Sequence, residues 1–231
     1  MSAPLPKHVE IAETLIRRIT AGILADGARL PPERKMAAGC GVAVGTLRKA
    51  LALLEQQEML DRVQGSGNYV RRRPAPSSVY GLFRLELIEG GGLPTAQVLA
   101  VDRVARPAGL PGDTSDGPLA TRIRRLRRLD GRPVAVEEIW YLGPGAPSAG
   151  DLSDSLYLTW QRLFGLTVMQ VEDRVGLAGF PGWTPPGQTF AAGGPACHVA
   201  RKTWGGEALI EVSETWFDAA SARFVAREGS V

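Results

Sequence analysis

The sequence predicts an α+β protein in two parts: a three-helix head closed by a hairpin, then a larger antiparallel sheet flanked by a few helices. Three observations lead there. Apolar residues recur at helical spacing in two segments up to residue 57, with a short helix-start signal between them, and in short strand-like runs after residue 96. A stretch of charge, proline and serine, Arg71-Arg72-Arg73-Pro74-Ala75-Pro76-Ser77-Ser78, interrupts both patterns and predicts a linker at 72–79 between a head at 1–71 and a second domain at 80–231. The basic excess lies wholly on one side of it: residues 1–73 carry twelve Lys/Arg against seven Asp/Glu, a net of +5, and the rest fifteen against seventeen, a net of −2. Such asymmetry suits a nucleic-acid-binding end joined to a part with another task.

In the head, Ile11, Leu15 and Ile19 fall four apart, the stripe of an amphipathic helix over Val9 to Ala21 that Gly22 can end. After a turn at Asp26, Gly27 and Ala28, Pro32 and Glu33 supply the proline and acidic residue of a helix start, and Gly39 and Gly41 stop this short second helix. Leu47, Ala50, Leu51 and Leu54 follow the i, i+3, i+4, i+7 rule and predict a third helix over Val44 to Gln57, with Arg48 and Lys49 off its stripe. Met59 to Val63 and Asn68 to Arg71 read as strands around Gln64-Gly65-Ser66-Gly67, where glycines permit a tight hairpin. Three helices followed by a hairpin is the order of a winged helix-turn-helix.

Beyond the linker, strands are expected at Gln97 to Val104, Thr121 to Leu129, Val134 to Leu142, Val168 to Leu177 and Leu209 to Phe217, with one helix around Leu156 to Phe164. Gly- and Pro-rich turns separate them, as in an antiparallel α+β domain.

Composition narrows the function classes. With 231 residues, 44% of them hydrophobic, the chain can build two separate cores. It has no run approaching the ~18 apolar residues of a spanning helix, and Met1 to Lys7 lacks the features of a secretory signal, so a cytoplasmic protein without membrane contact is expected. Cys40 and Cys197 stand far apart and share no ligand spacing with His8 or His198; they are expected to be reduced thiols packed as small hydrophobes, with no disulfide, metal or cofactor. There is no nucleotide-binding glycine loop, GxSxG elbow or HExxH helix, so no catalytic residue is expected. His198 can be read as an acid or base, or as a structural histidine on a strand.

Two groups of residues carry chemistry. In a helix-turn-helix the second helix meets base edges and the wing meets phosphates, which makes Thr46, Arg48 and Lys49, with Arg34 and Lys35 at the start of the preceding helix, candidate DNA contacts; Arg71 to Arg73 can add phosphate contacts. In the second part, strand alternation groups Arg125 and Arg127 with Ile123 and Leu129, and Arg122, Arg124 and Arg128 with Leu126. Guanidiniums on an apolar face need anionic partners. These are either a phosphate or carboxylate ligand, or internal carboxylates among Glu137, Glu138, Glu211 and Glu214. Trp140, Tyr141, Trp183, Trp204, Trp216 and Phe217 are candidate pocket walls or core.

The stretches Ile23 to Arg34 (ILADGARLPPER), Gly41 to Leu54 (GVAVGTLRKALALL) and Arg62 to Val70 (RVQGSGNYV) resemble the DNA-binding domain of the GntR family of bacterial regulators over residues 9–71. The resemblance implies DNA contacts at Arg34, Thr46, Arg48 and Gly67, to which position adds Lys35, Lys49 and Gly65. The chain departs from the family in carrying Ala43, Val44 and Gly45 where members often have Ser-Arg-Thr, and Glu58 where a glycine often follows the third helix.

Residues 80–228 resemble the UTRA effector domain of the HutC branch, a fold similar to chorismate lyase. The carrying residues are Arg125-Leu126-Arg127, Asp130-Gly131-Arg132-Pro133, Glu137-Glu138, Ser155-Leu156-Tyr157 and Ala208-Leu209-Ile210-Glu211. The resemblance implies a pocket for a small anionic effector, such as a sugar phosphate or carboxylate, lined by Arg125, Arg127, Ser155 and Tyr157 with Glu137 and Glu211. Because one recognition helix reads only a few base pairs, a homodimer on a palindromic double-stranded DNA operator is expected, and the resemblance implies repression relieved by ligand. The competing reading is a chorismate-lyase-like enzyme, or a ligand-binding protein with a vestigial head.

Overall fold

The protein is described from a computed structural model covering residues 5–72, 80–111 and 118–227. The expected linker lies outside the described residues except for Arg72. Two compact units emerge, one from residues 5–72, 80–93 and 223–227, the other from 94–111 and 118–222.

In the first unit, α1 (Lys7–Thr20) buries Ile11, Leu15 and Ile19 as expected, together with Ala12 and Ile16. The second helix, α2 (Glu33–Gly39), starts after Pro32, and α3 (Val44–Gln56) buries Leu47, Ala50, Leu51 and Leu54. The chain turns by 106° between α2 and α3, within the range of a helix-turn-helix. Strands β1 (Leu60–Val63) and β2 (Gly67–Val70) form the hairpin, with Leu60 opposite Val70. Gly67 has φ +133°, and a Cβ there would stand 3.1 Å from Arg29 Nε, so both backbone and space call for glycine.

The stripe did not reveal that Arg17 of α1 is buried. Its guanidinium donates to the carbonyls of Gly92 and Leu85, which satisfies donors that burial would otherwise strand. Residues 80–93 thus pack with α1. Within them β3 (Leu85–Leu87) pairs with β10 (Ala222–Phe224), and Glu86 accepts a two-pronged bond from Arg227 at 2.6 and 3.0 Å. Neither three-residue strand was expected.

The second unit is one antiparallel sheet in the order β4-β5-β6-β9-β8-β7. Its strands are β4 (Pro94–Ala105), β5 (Leu119–Leu129), β6 (Arg132–Tyr141), β7 (Gln170–Gly179), β8 (Pro195–Gly205) and β9 (Ala208–Phe217). Of β8, a half-buried mixture of apolar and polar residues, the sequence suggested only a strand at His198, without its extent. Helix α4 (Leu156–Phe164) falls where expected: Ser155 caps it by accepting from Leu158 N, and Gly165 ends it in the left-handed region at φ +66°. Ile123, Ile139 and Tyr141 pack with Leu156 and Trp160 of α4; Leu126 and Val136 pack with Phe180 and Phe190 in a separate cluster. A register shift between Arg127 and Arg128 means that the simple alternation assigning Leu129 and Arg128 to faces does not run through to the strand's end. Cys197 is half-buried, but Cys40 is exposed at the end of α2 and is not packed as a small hydrophobe. Among the described residues no single helix is long and apolar enough to cross a membrane.

Glu58, just past α3, takes φ +55°, a conformation costing a non-glycine residue roughly 1–2 kcal/mol. Glu58→Gly is expected to raise the urea midpoint of the protein, by about 1 kcal/mol in unfolding free energy after glycine's extra chain entropy is allowed for. An unchanged or lower midpoint contradicts a strained cap.

Candidate functional site

Two regions gather the candidate residues. In the head, Arg34 and Lys35 are exposed in the first turn of α2, Thr46 is half-buried in the first turn of α3, and Arg48 and Lys49 are exposed beyond it. Arg48 Nε donates to Glu33 Oε2 at 2.7 Å, and Arg62 of the wing reaches the same carboxylate at 3.9 Å. The Arg48 hydrogen bond holds the Glu33 carboxyl below its ordinary value against partial burial. Glu33 therefore joins α2, α3 and wing. Beside it opens a cleft of about 380 Å³ lined by Arg29, Pro31, Glu33, Arg62, Gly65 and Gly67. Arg71 is exposed and paired with Asp61, and Arg73 lies outside the described residues.

On the α4-covered face of the sheet, Arg125 and Arg127 are 4% and 2% exposed. Arg125 pairs with Glu137 of β6 and donates to the Ser153 carbonyl at 3.2 Å. Arg127 lies 3.7 Å from the same Glu137 oxygen and donates to the Asp154 carbonyl at 2.8 Å. Two buried guanidiniums thus share one carboxylate at the residues that lead into α4. Ser155, whose hydroxyl caps α4, adjoins them in the chain.

Glu211 and Tyr157 belong to an adjoining polar cluster. Trp160 Nε1 donates to Glu211 Oε2 at 2.9 Å, and Glu211 feels the charges of Arg125, Glu137 and Arg201. Tyr157 Oη meets Thr203 Oγ1 at 3.2 Å and accepts from Arg201 at 3.3 Å; Arg201 in turn grips Asp173 with two bonds of 2.5 and 2.7 Å. Burial raises the Tyr157 phenol above its usual range, and Glu211 reinforces the shift. Arg201, Asp173, Thr203 and Trp160 were not singled out from sequence. Strand period places Arg201 with Val199 and Thr203, but only the register sets it opposite Asp173.

The remaining internal carboxylates face the other way. Glu138 pairs with Arg124, which lies over Trp183, and Glu214 meets His198 beside Trp216. His198 has a structural partner there. Tyr141 stacks on Trp160 as core.

Glu211→Gln keeps an acceptor for Trp160 but cannot ionise. Burial holds the Glu211 carboxyl above its ordinary 4.5, while the Trp160 bond and Arg125 pull it down and Glu137 pushes it up. A carboxyl with a raised native pKa binds its proton more tightly when folded, so its contribution is complete below the unfolded value and is lost as pH rises toward the native one. As pH rises from the ordinary carboxylate value of 4.5 upward, the stability of the parent is expected to fall relative to Glu211→Gln. A difference constant across that range would refute the raised carboxyl.

Residues 7–70 match the family described as bacterial regulatory proteins, gntR family, and residues 90–223 match the UTRA domain. The chain is 50% identical over 228 residues to the HTH-type transcriptional regulator SmoD of Agrobacterium fabrum, covering 96% of each. It is 28% identical over 139 residues, 58% of each chain, to MngR of Escherichia coli, a repressor of a mannosyl-D-glycerate transport/metabolism system. Among solved structures, YydK from Bacillus subtilis shares the fold with a TM-score of 0.54 at 19% identity, covering 96% of this chain and 99% of that one. With a helix-turn-helix head and a UTRA effector-binding domain in the HutC-type order, this chain belongs to the gntR family of bacterial regulatory proteins and is a transcriptional regulator.

Proposed function

We propose that the protein is a cytoplasmic, homodimeric repressor that binds a palindromic operator and leaves it when a small anionic metabolite, a sugar phosphate or sugar-linked carboxylate, occupies the α4 face of the UTRA sheet. The observation that carries the effector class is the pair Arg125 and Arg127, both buried on the α4 face and both drawn to Glu137. Two adjacent guanidiniums present the forked donors that a bidentate anion accepts. Ser155 and the first turn of α4 favour the same charge. Glu137, Glu211 and Tyr157 are suited to the hydroxyls of a sugar body. MngR, whose name joins a sugar to glycerate, supports this reading.

On the DNA side, Arg34, Lys35, Thr46, Arg48 and Lys49 meet the major groove and its flanking phosphates, and the turn bearing Gly65 and Gly67 meets the backbone beside them. Two heads are needed because one recognition helix reads only a few base pairs. The effector leaves chemically unchanged, so turnover of the ligand would favour the lyase reading instead.

Thermal unfolding against sugar phosphates, carboxylates and neutral sugars tests the effector. A ligand at ~100 times its dissociation constant adds about 2.7 kcal/mol to the native state. The expected result is a saturable shift with one anionic class that disappears in Arg127→Ala while operator affinity is kept. A shift with neutral sugars alone returns Arg125 and Arg127 to the purely internal pair with Glu137. Operator binding is expected to weaken with salt, log affinity falling by ~0.9 per phosphate neutralised for each log unit of salt; a flat salt profile contradicts the head's assignment.

A further inference from the structure

We propose that the outer edge of β7 is the surface on which two copies of this chain join, their β7 strands pairing antiparallel about a two-fold axis at Gly176. The proposal deepens the homodimer of the preceding section and rests on it. Strand β7 ends the sheet, with β8 on one side and no strand on the other among the described residues. Val175 is 55% exposed and Leu177 86%, and the two share a face. From Val175 to Gly179 the strand has no charge and no proline, the devices that usually blunt an open edge. The opposite edge differs. Strand β4 is broken by a register shift between Val98 and Ala100 and carries Asp102 and Arg103.

The sequence of β7 favours a second copy as occupant. With a two-fold axis perpendicular to the sheet, the residue on the axis faces itself and its neighbours pair symmetrically. Centring on Glu172, Asp173 or Arg174 sets like charges face to face. A centre at Val175 sets Asp173 against Leu177 twice, and a centre at Leu177 leaves Val175 opposite Gly179. Of these registers, the one at Gly176 alone pairs Val175 with Leu177 on both sides of the axis, with Arg174 opposite Ala178. Gly176 also meets nothing within 4 Å where a Cβ would stand, so the chain itself leaves that position open. Asp173, three residues from the axis, holds Arg201, which reaches Tyr157 of α4. Dimer edge and effector cluster therefore share an ion pair.

The test uses the full chain with Cys40 and Cys197 replaced by serine and alanine. Gly176→Cys is expected to form an interchain disulfide under mild oxidation, since residues facing each other across an antiparallel pair stand about 4.5–5.5 Å apart at Cα. Arg174→Cys, about 13 Å from its counterpart in this register, is expected not to. Leu177→Lys is expected to sediment as a monomer at concentrations where the parent is a dimer, with an unchanged far-ultraviolet circular dichroism spectrum at room temperature. If the parent is a dimer, and Leu177→Lys stays one while Gly176→Cys fails to cross-link, the β7 interface is overturned and the homodimer stands on another surface. Equal cross-linking of the two cysteine variants overturns the Gly176 register. A monomeric parent overturns the homodimer itself.

Discussion

Inside the UTRA sheet two buried guanidiniums meet at Glu137, and much of the second unit follows from how the chain accommodates those charges. A buried ion costs several kcal/mol unless paired and hydrogen-bonded. Glu137 on the neighbouring strand answers Arg125 directly and Arg127 at longer range. One donor of each also takes a backbone carbonyl, Arg125 that of Ser153 and Arg127 that of Asp154, which fixes the approach to α4. With Ser155 capping the helix there, Trp160 is set on Glu211 and Tyr157 on Thr203 and Arg201. The polar cluster thus grows outward from β5 through the helix it positions, and an anion bound at the arginines would compete for the donors that hold the segment leading into α4.

Charge also organises the head. Its core is an ordinary cluster of Ile, Leu, Ala, Met and Val side chains from three helices and the hairpin, but two ion-bearing residues fix its edges. Glu33 is bonded to Arg48 and lies near Arg62, which is equally near Glu55 of α3, so two carboxylates bear on how α3 and the wing are presented. Buried Arg17 does the same for residues 80–93, whose carbonyls it takes and whose Phe83 ring it covers. Both devices use a long side chain with several donors or acceptors to tie together elements that apolar packing alone leaves loosely defined.

Periodicity made the head legible because its helices are amphipathic. Leu47, Ala50, Leu51 and Leu54 form the buried face of α3 as their spacing requires. The alternation of β5 likewise separated Arg125 and Arg127 from Arg122 and Arg124, because strand period fixes faces without reference to any partner. What spacing lacks is register. Arg201 and Asp173 meet only because β7 and β8 pair as they do, and Trp160 finds Glu211 only because α4 crosses β9. The three-residue strands β3 and β10 carry too few residues for any period to show.

The first turn of α3 constrains how this protein can read DNA. Ala43 occupies the N-cap without a side-chain bond, and Val44 and Gly45 add neither hydroxyl nor charge. Family members that carry Ser-Arg-Thr there have three further groups for phosphates or base edges. In this chain the polar side chains of the helix begin only at Thr46, and Arg48 is already engaged with Glu33. Arg48 can turn to a guanine edge only by exchanging one hydrogen bond for another, whereas Lys49 is exposed and long enough to follow a phosphate. Under the proposed recognition role, α3 offers fewer side chains for sequence discrimination than relatives with the fuller motif would. An operator inferred from such a relative assigns contacts that Ala43, Val44 and Gly45 have no side-chain groups to make.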